Sequence, residues 1–309
     1  MNSTDHHLEM KDKIKKEIDK SGFPLELYVL DICSKKNTGR MPNIHYEYGG
    51  KLKEVDLYAF FEEILIDPKE GENLQHTSTS MIIECKKSKD KPWVFFSSSM
   101  HKSMDMFCFT KYVSEFDLYF KQEGEYPLLG QIYKGLEGNH YMDKAISKCI
   151  TYFEAFKRQS SPSEIYQAVE SVLSFLRYRR EFYLSKFEKL GYCSDFSFPV
   201  IVLDGLLFEA RLEKGEVVVT EKNHVQLRTD YDEEVFIVDI VKKENFENFF
   251  RLIEKDHLSF VKSINKLDFP EDYKTQLKRK IDWETEVFKL PFPPEFYAIT
   301  SERESNSDA

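Results

Sequence analysis

Met81-Ile82-Ile83-Glu84-Cys85-Lys86 decides how this chain is read. Side chains alternate along an extended strand, so Glu84 and Lys86 share one face and Ile83 and Cys85 the other. The run opens on three apolar residues, as a buried strand does. Charge brought into such a strand costs free energy unless it is paired or binds a metal. An acid, any residue, then lysine also occurs at Glu9/Lys11, Asp67/Lys69 and Asp272/Lys274, but only Glu84/Lys86 lies in a good strand.

The strand before it offers the compensation. In Glu54-Val55-Asp56-Leu57-Tyr58-Ala59, alternation places Glu54, Asp56 and Tyr58 on one face and Val55, Leu57 and Ala59 on the other. If the two strands are antiparallel neighbours, Asp56 and Glu84 form a two-carboxylate site, and oxygen ligands of this kind suit Mg²⁺ or Mn²⁺. Such an ion holds a phosphate and lowers the pKa of water. Lys86, a compact point charge, can orient the water or stabilise charge developing on phosphate oxygens. The chemistry suggested is phosphodiester hydrolysis. Glu54 is read as structural.

Working outward, helices are expected over 8–20 and 25–33. Ser21-Gly22-Phe23-Pro24 breaks between them, Pro24 suits the first turn of the second, and Glu26 falls near its start. Strands are expected over 43–48, 53–61 and 80–86, the first two joined by Gly49-Gly50, with a loop over 67–79. Helices follow over 143–158 and 163–190, the latter bounded by Pro162 and Gly191. A hairpin over 200–212 and 216–220 turns at Lys214-Gly215, strands cover 225–228 and 235–241, and a helix covers 245–253. The class is mixed α/β without repeats. The expected domains are 1–255 with an insertion at about 97–140, a helical extension over 256–300, and a disordered tail over 301–309.

The ordered segments Ser21-Gly22-Phe23-Pro24-Leu25-Glu26, Lys53-Glu54-Val55-Asp56-Leu57 and Ile82-Ile83-Glu84-Cys85-Lys86-Lys87-Ser88 resemble the PD-(D/E)XK nuclease superfamily. The resemblance covers roughly residues 10–90, with weaker agreement from the helices after 140 and the strand over 200–208. It implies the restriction-endonuclease-like fold, a mixed central sheet flanked by helices, here with an insertion after the third strand and an α/β C-terminal extension. It implies a metal-dependent endonuclease acting on DNA, in restriction, anti-phage defence or repair. Carried over, it makes Asp56 and Glu84 metal ligands with the backbone carbonyl of Cys85, gives Lys86 the attacking water, and lets Glu26 complete the site. Val55 stands where the name-giving pattern has proline. By analogy it also allows a homodimer or a partner protein. The alternative is a catalytically silent module of the same fold that binds nucleic acid or protein, which retention of both acids and Lys86 disfavours.

Composition bounds these readings. The chain has 309 residues with 44 Lys plus Arg against 54 Asp plus Glu, a formal charge of −10, so its surface as a whole is no nucleic-acid glue. Local charge differs: Lys86, Lys87, Lys89, Lys91 and Lys102 follow the proposed site, and Lys87, Lys89 and Lys91 are candidate DNA contacts with Arg180, which interrupts the apolar stripe of the 163–190 helix. Arg177 and Arg179 are assigned to its solvated face. Trp93, Phe95 and Phe96 sit among the lysines, but this run is as apolar as a buried strand, so core burial is the expectation. The cysteines at 33, 85, 108, 149 and 193 show no metal-ligand or disulfide spacing and read as reduced thiols. No membrane span and no signal-type apolar region is expected, which points to the cytoplasm. The sequence lacks GxSxG, HExxH, GxGxxG and a Walker loop.

Overall fold

The computed structural model describes residues 3–35, 38–66, 73–97, 146–156, 163–187, 193–231 and 234–264. The chain divides into Met1–Asp268 and Phe269–Ala309, and the second unit lies outside the described residues. So do most of the expected insertion and the tail.

Helices α1 (Ser3–Lys20) and α2 (Phe23–Ser34) come first, with Pro24 in the opening turn of α2. Strands β1 (Gly39–Tyr48), β2 (Lys51–Ile66) and β3 (Asn73–Ser97) follow as an antiparallel meander. Gly49 and Gly50, at φ 59 and 70, make the β1–β2 turn in the left-handed conformation that glycine adopts without steric cost. Strand β3 overruns both expected limits, since 73–79 is strand where a loop was expected and Trp93–Ser97 is strand where the insertion was to begin. Trp93 and Phe95 are fully buried, so they are core and not a base-stacking surface.

The segment expected as a helix over 143–158 is instead β4 (Ser147–Glu154), antiparallel to the end of β3 and parallel to β7. Its apolar residues fit a helical period, but Ile150, Thr151, Tyr152 and Phe153 are β-branched or aromatic and suit a pleated surface. Two sheet neighbours settle the competition. Helix α3 (Glu164–Phe187) buries Ile165, Val169, Val172 and Leu176 as the stripe predicted. Glu154 of β4 caps it, Oε1 accepting from Ile165 N–H at 3.0 Å and from Ser163 Oγ at 2.5 Å.

Strand β5 (Cys193–Glu213) runs parallel to β3, and β6 (Glu216–Glu221) folds back on it through Lys214 and Gly215, both at positive φ. Strands β7 (His224–Tyr231) and β8 (Glu234–Lys242) pair antiparallel, and β8 lies parallel to β5. One eight-stranded mixed sheet results, in which β3, β4, β7, β8 and β5 close a circuit of pairings. A 3-10 turn (Lys243–Asn245) leads into α4 (Phe246–Ile264). Helix α4 passes through the boundary expected at 255, and the compact unit reaches 268.

Neighbouring residues of β3 show how the sheet is covered. Thr79 Oγ1 lies 3.0 Å from His257 Nδ1 on α4, whereas Ser80 Oγ accepts from Arg179 of α3 at 3.1 Å. Successive strand residues face opposite ways, so α3 covers one face and α4 the other. Arg179 is therefore buried, its guanidinium 4.1 Å from the Tyr58 ring centroid, and not on the expected solvated face. Arg177 is half-buried too. A guanidinium stacks on an aromatic plane as readily as it meets water.

Candidate metal and hydrolytic centre

The expected antiparallel pairing of β2 and β3 is present, and it stops where the acids are. The ladder runs to Leu57 opposite Ile83. One step further, Asp56 Oδ2 accepts the Cys85 N–H at 2.7 Å, so a side chain takes the place of a strand carbonyl and the two strands part. A residue's N–H and C=O leave a strand on the same side. The Cys85 carbonyl is thereby turned toward the gap that Asp56 borders.

Strict alternation along β2 does not hold across this point. Lys53 reaches Glu170 of α3 at 3.1 Å, and the Tyr58 ring lies 5.9 Å from that of Phe175, also on α3. An odd and an even residue thus face the same helix, so the pleat shifts between them. Asn43, at φ 51, stands opposite Asp56 between the pairs Pro42–Leu57 and Ile44–Val55. Left-handed backbone is uncommon outside glycine and comparatively cheap for asparagine. The shift separates Tyr58, which is core, from Asp56, with which it was expected to share a face.

Glu84 and Lys86 do share a face. Lys86 Nζ donates to Glu84 Oε1 at 2.6 Å, with the carboxylate 9% exposed and the ammonium 29%. The other carboxylate oxygen accepts from Ser171 Oγ of α3 at 2.7 Å. Burial and then the charge of Asp56 push the Glu84 carboxyl up to about 7, against the opposing pull of Lys86. Burial also raises Asp56, partly offset by the Cys85 N–H. Burial pulls the Lys86 ammonium down, but Glu84 and Asp56 outweigh it and hold its pKa above the usual value. Burial followed by both acids raises the Cys85 thiol well above its ordinary range, so it stays protonated.

Glu26, in the first turn of α2, belongs to the same electrostatic neighbourhood. Burial, then Asp56 and Glu54, raise its carboxyl, and Lys86 lowers it. Gly22 leaves it room, since a Cβ there would stand 3.1 Å from Glu26 Oε1.

The expected DNA contacts fare differently. Lys87 donates to the Asp19 carbonyl near the end of α1. Lys91 is paired with Glu164 at the start of α3 at 2.8 Å. Lys89 and Arg180 lie within β3 and α3, with their side chains outside the described set. Lys87 and Lys91 thus hold helices to the sheet, and the structure does not gather them beside Lys86 as a phosphate-facing row.

The donors fit a hard divalent ion. Two carboxylates and a carbonyl present only oxygen, and Mg²⁺ keeps several of its own waters rather than demanding an all-protein cage. Among the described residues, no three His, Cys, Asp or Glu side chains are grouped so that they could hold a metal ion. Two carboxylates stand against one lysine here, and the charge of Asp56 adds to burial in raising Glu84. Ser171 and Asn43 were not singled out in the sequence. A serine between Val169 and Val172 on an otherwise apolar helix face is the signal for the first, and nothing local marks the second. No family model matches the chain, and neither does any curated protein or solved structure. Among the described residues, no helix is long and apolar enough to cross a membrane.

Proposed function

We propose that this chain is a metal-dependent nuclease of the PD-(D/E)XK kind that hydrolyses phosphodiester bonds of DNA. The observation that carries the proposal is the meeting of Asp56 and Glu84 where the β2–β3 ladder opens, with Lys86 hydrogen-bonded to Glu84. The order α2, β1 to β3 as an antiparallel meander and, after the intervening β4, α3 and β5 supports it, since the resemblance implies a core of helix, three strands, helix and a further strand. Mg²⁺ or Mn²⁺ at this point supplies Lewis acidity toward phosphate and water.

The protein groups then divide the work. Asp56, Glu84 and the Cys85 carbonyl hold the ion, and Glu26 adds negative charge from α2. Lys86, hydrogen-bonded to Glu84, orients water and stabilises phosphate charge. In the hydrolysis, water oxygen bonds to phosphorus as the bond to the leaving oxygen breaks, the water gives up a proton to solvent, and the leaving oxygen takes one up from solvent.

Circular double-stranded DNA, circular single-stranded DNA and RNA, each incubated with Mg²⁺, Mn²⁺ or EDTA, test the reading and exclude end-dependent artefacts. Metal-dependent cutting of DNA that is lost in a folded Asp56→Ala variant is expected. A wild-type protein that cuts none of these and binds no Mn²⁺ in calorimetry would overturn it.

A further inference from the structure

Ser171 touches both halves of the opened ladder. Its Oγ lies 2.7 Å from Glu84 Oε2 on β3 and 3.1 Å from the Glu54 carbonyl oxygen on β2. A hydroxyl has one hydrogen, and the shorter, charge-assisted contact to the carboxylate takes the larger share of it. Glu84 is thus held at both oxygens, by Lys86 on one and Ser171 on the other.

The helix turn that carries Ser171 is itself fixed from the sheet. Tyr46 Oη of β1 lies 2.7 Å from Ser174 Oγ, and these two groups approach the Ser171 carbonyl oxygen at 3.3 and 3.1 Å. One residue earlier, Glu170 is tied to Lys53 of β2 at 3.1 Å. Tethers from both strands therefore set where along α3 the hydroxyl stands. Helix stability gives no reason for serine here, because alanine is the better helix former.

We propose that Ser171 is a positioning residue for the metal centre: through its hydroxyl it fixes the carboxylate plane of Glu84 for cation binding. This rests on the metal-dependent reading above. A ligating carboxylate whose outer hydrogen bond is removed swings among rotamers, and loss of such partners weakens metal binding about 10–100-fold.

Calorimetric titration with Mn²⁺, without nucleic acid, separates the possibilities for wild type, Ser171→Ala, Ser171→Thr, Ser171→Val and Asp56→Ala. Melting each protein in EDTA reports folding independently. Thr and Val have nearly the same shape and differ by the hydroxyl, so comparing them isolates the hydrogen bond. The expected result is about 10-fold or weaker binding in the Ala and Val variants, near-wild-type binding in Thr, and no parallel loss of melting temperature. Wild-type-like binding by the Ala variant, or equal weakening in Thr and Val, overturns the role of the hydroxyl and leaves the nuclease reading standing. Absence of Mn²⁺ binding by wild type overturns the metal centre and this proposal with it.

Discussion

Replacing Glu84 by glutamine removes the residue most strained by the site, and the gain in stability follows from its titration. In the folded protein this carboxyl titrates at about 7 against an ordinary 4.5, through burial and the neighbouring Asp56. Between those values the native state holds a proton that the unfolded chain has released, so stability falls as pH rises through this window. The difference between those two values corresponds to about 3 kcal/mol of lost stability once pH exceeds the folded value. Glutamine mimics the protonated form and escapes the loss. Glu84→Gln is therefore expected to be more stable than wild type by about 3 kcal/mol at pH 8, but by only about 1 kcal/mol at pH 5, where the wild-type carboxyl is still protonated when folded. At about 2–4 °C per kcal/mol, the pH 8 gain is a rise of about 6–12 °C. Thermal and urea unfolding in EDTA at both pH values measures it, EDTA preventing a bound cation from stabilising wild type alone. An equal gain at both pH values, or none at pH 8, refutes the claim that buried charge at Glu84 opposes folding.

Lys86→Met is expected to lower DNA cleavage by about 100-fold or more, the scale seen for lost transition-state donors, while Mn²⁺ binding measured by calorimetry persists. Gly205→Ala brings a Cβ to 2.4 Å from the Ser88 carbonyl oxygen, an approach that the backbone of β3 must relieve. The expected loss is about 1–3 kcal/mol, read as a lower urea midpoint with unchanged slope. Trp93→Ala, at a fully buried site, is expected to cost about 3–5 kcal/mol, and a loss below 1 kcal/mol in the same titration contradicts its place in the core.

Period-two alternation was enough to pair Glu84 with Lys86 on one face, because that stretch of β3 is regular. The same rule misplaced Tyr58 beside Asp56, because the pleat shifts within β2 and the conformation accompanying the shift belongs to Asn43 on another strand. Residues 146–154 carry apolar spacing compatible with either period, and only their sheet partners decide for a strand. The lysines after Lys86 were legible as charge but not as ion pairs, since Glu164 lies 73 positions from Lys91. Arg179 looked solvated because helical periodicity does not reveal that Tyr58 waits beneath it. What the sequence conveyed well was local: the opening of α2 at Pro24, the Gly49-Gly50 and Lys214-Gly215 turns, and the apolar stripe of α3.

The location of the proposed centre also has an argument that owes nothing to resemblance. Natural folds keep local rules where only stability is at stake and break them where chemistry requires it. Three departures coincide here: a side chain replaces a strand carbonyl at Cys85 N–H, a non-glycine residue in β1 takes positive φ opposite Asp56, and two acids titrate upward in a site with one lysine. The last two oppose folding, whereas the first satisfies a buried N–H and holds Asp56 where its charge raises Glu84. A structural ion pair needs only one of these carboxylates, because Lys86 is satisfied by Glu84 alone. The second acid adds repulsion that the divalent cation of the proposed centre would relieve.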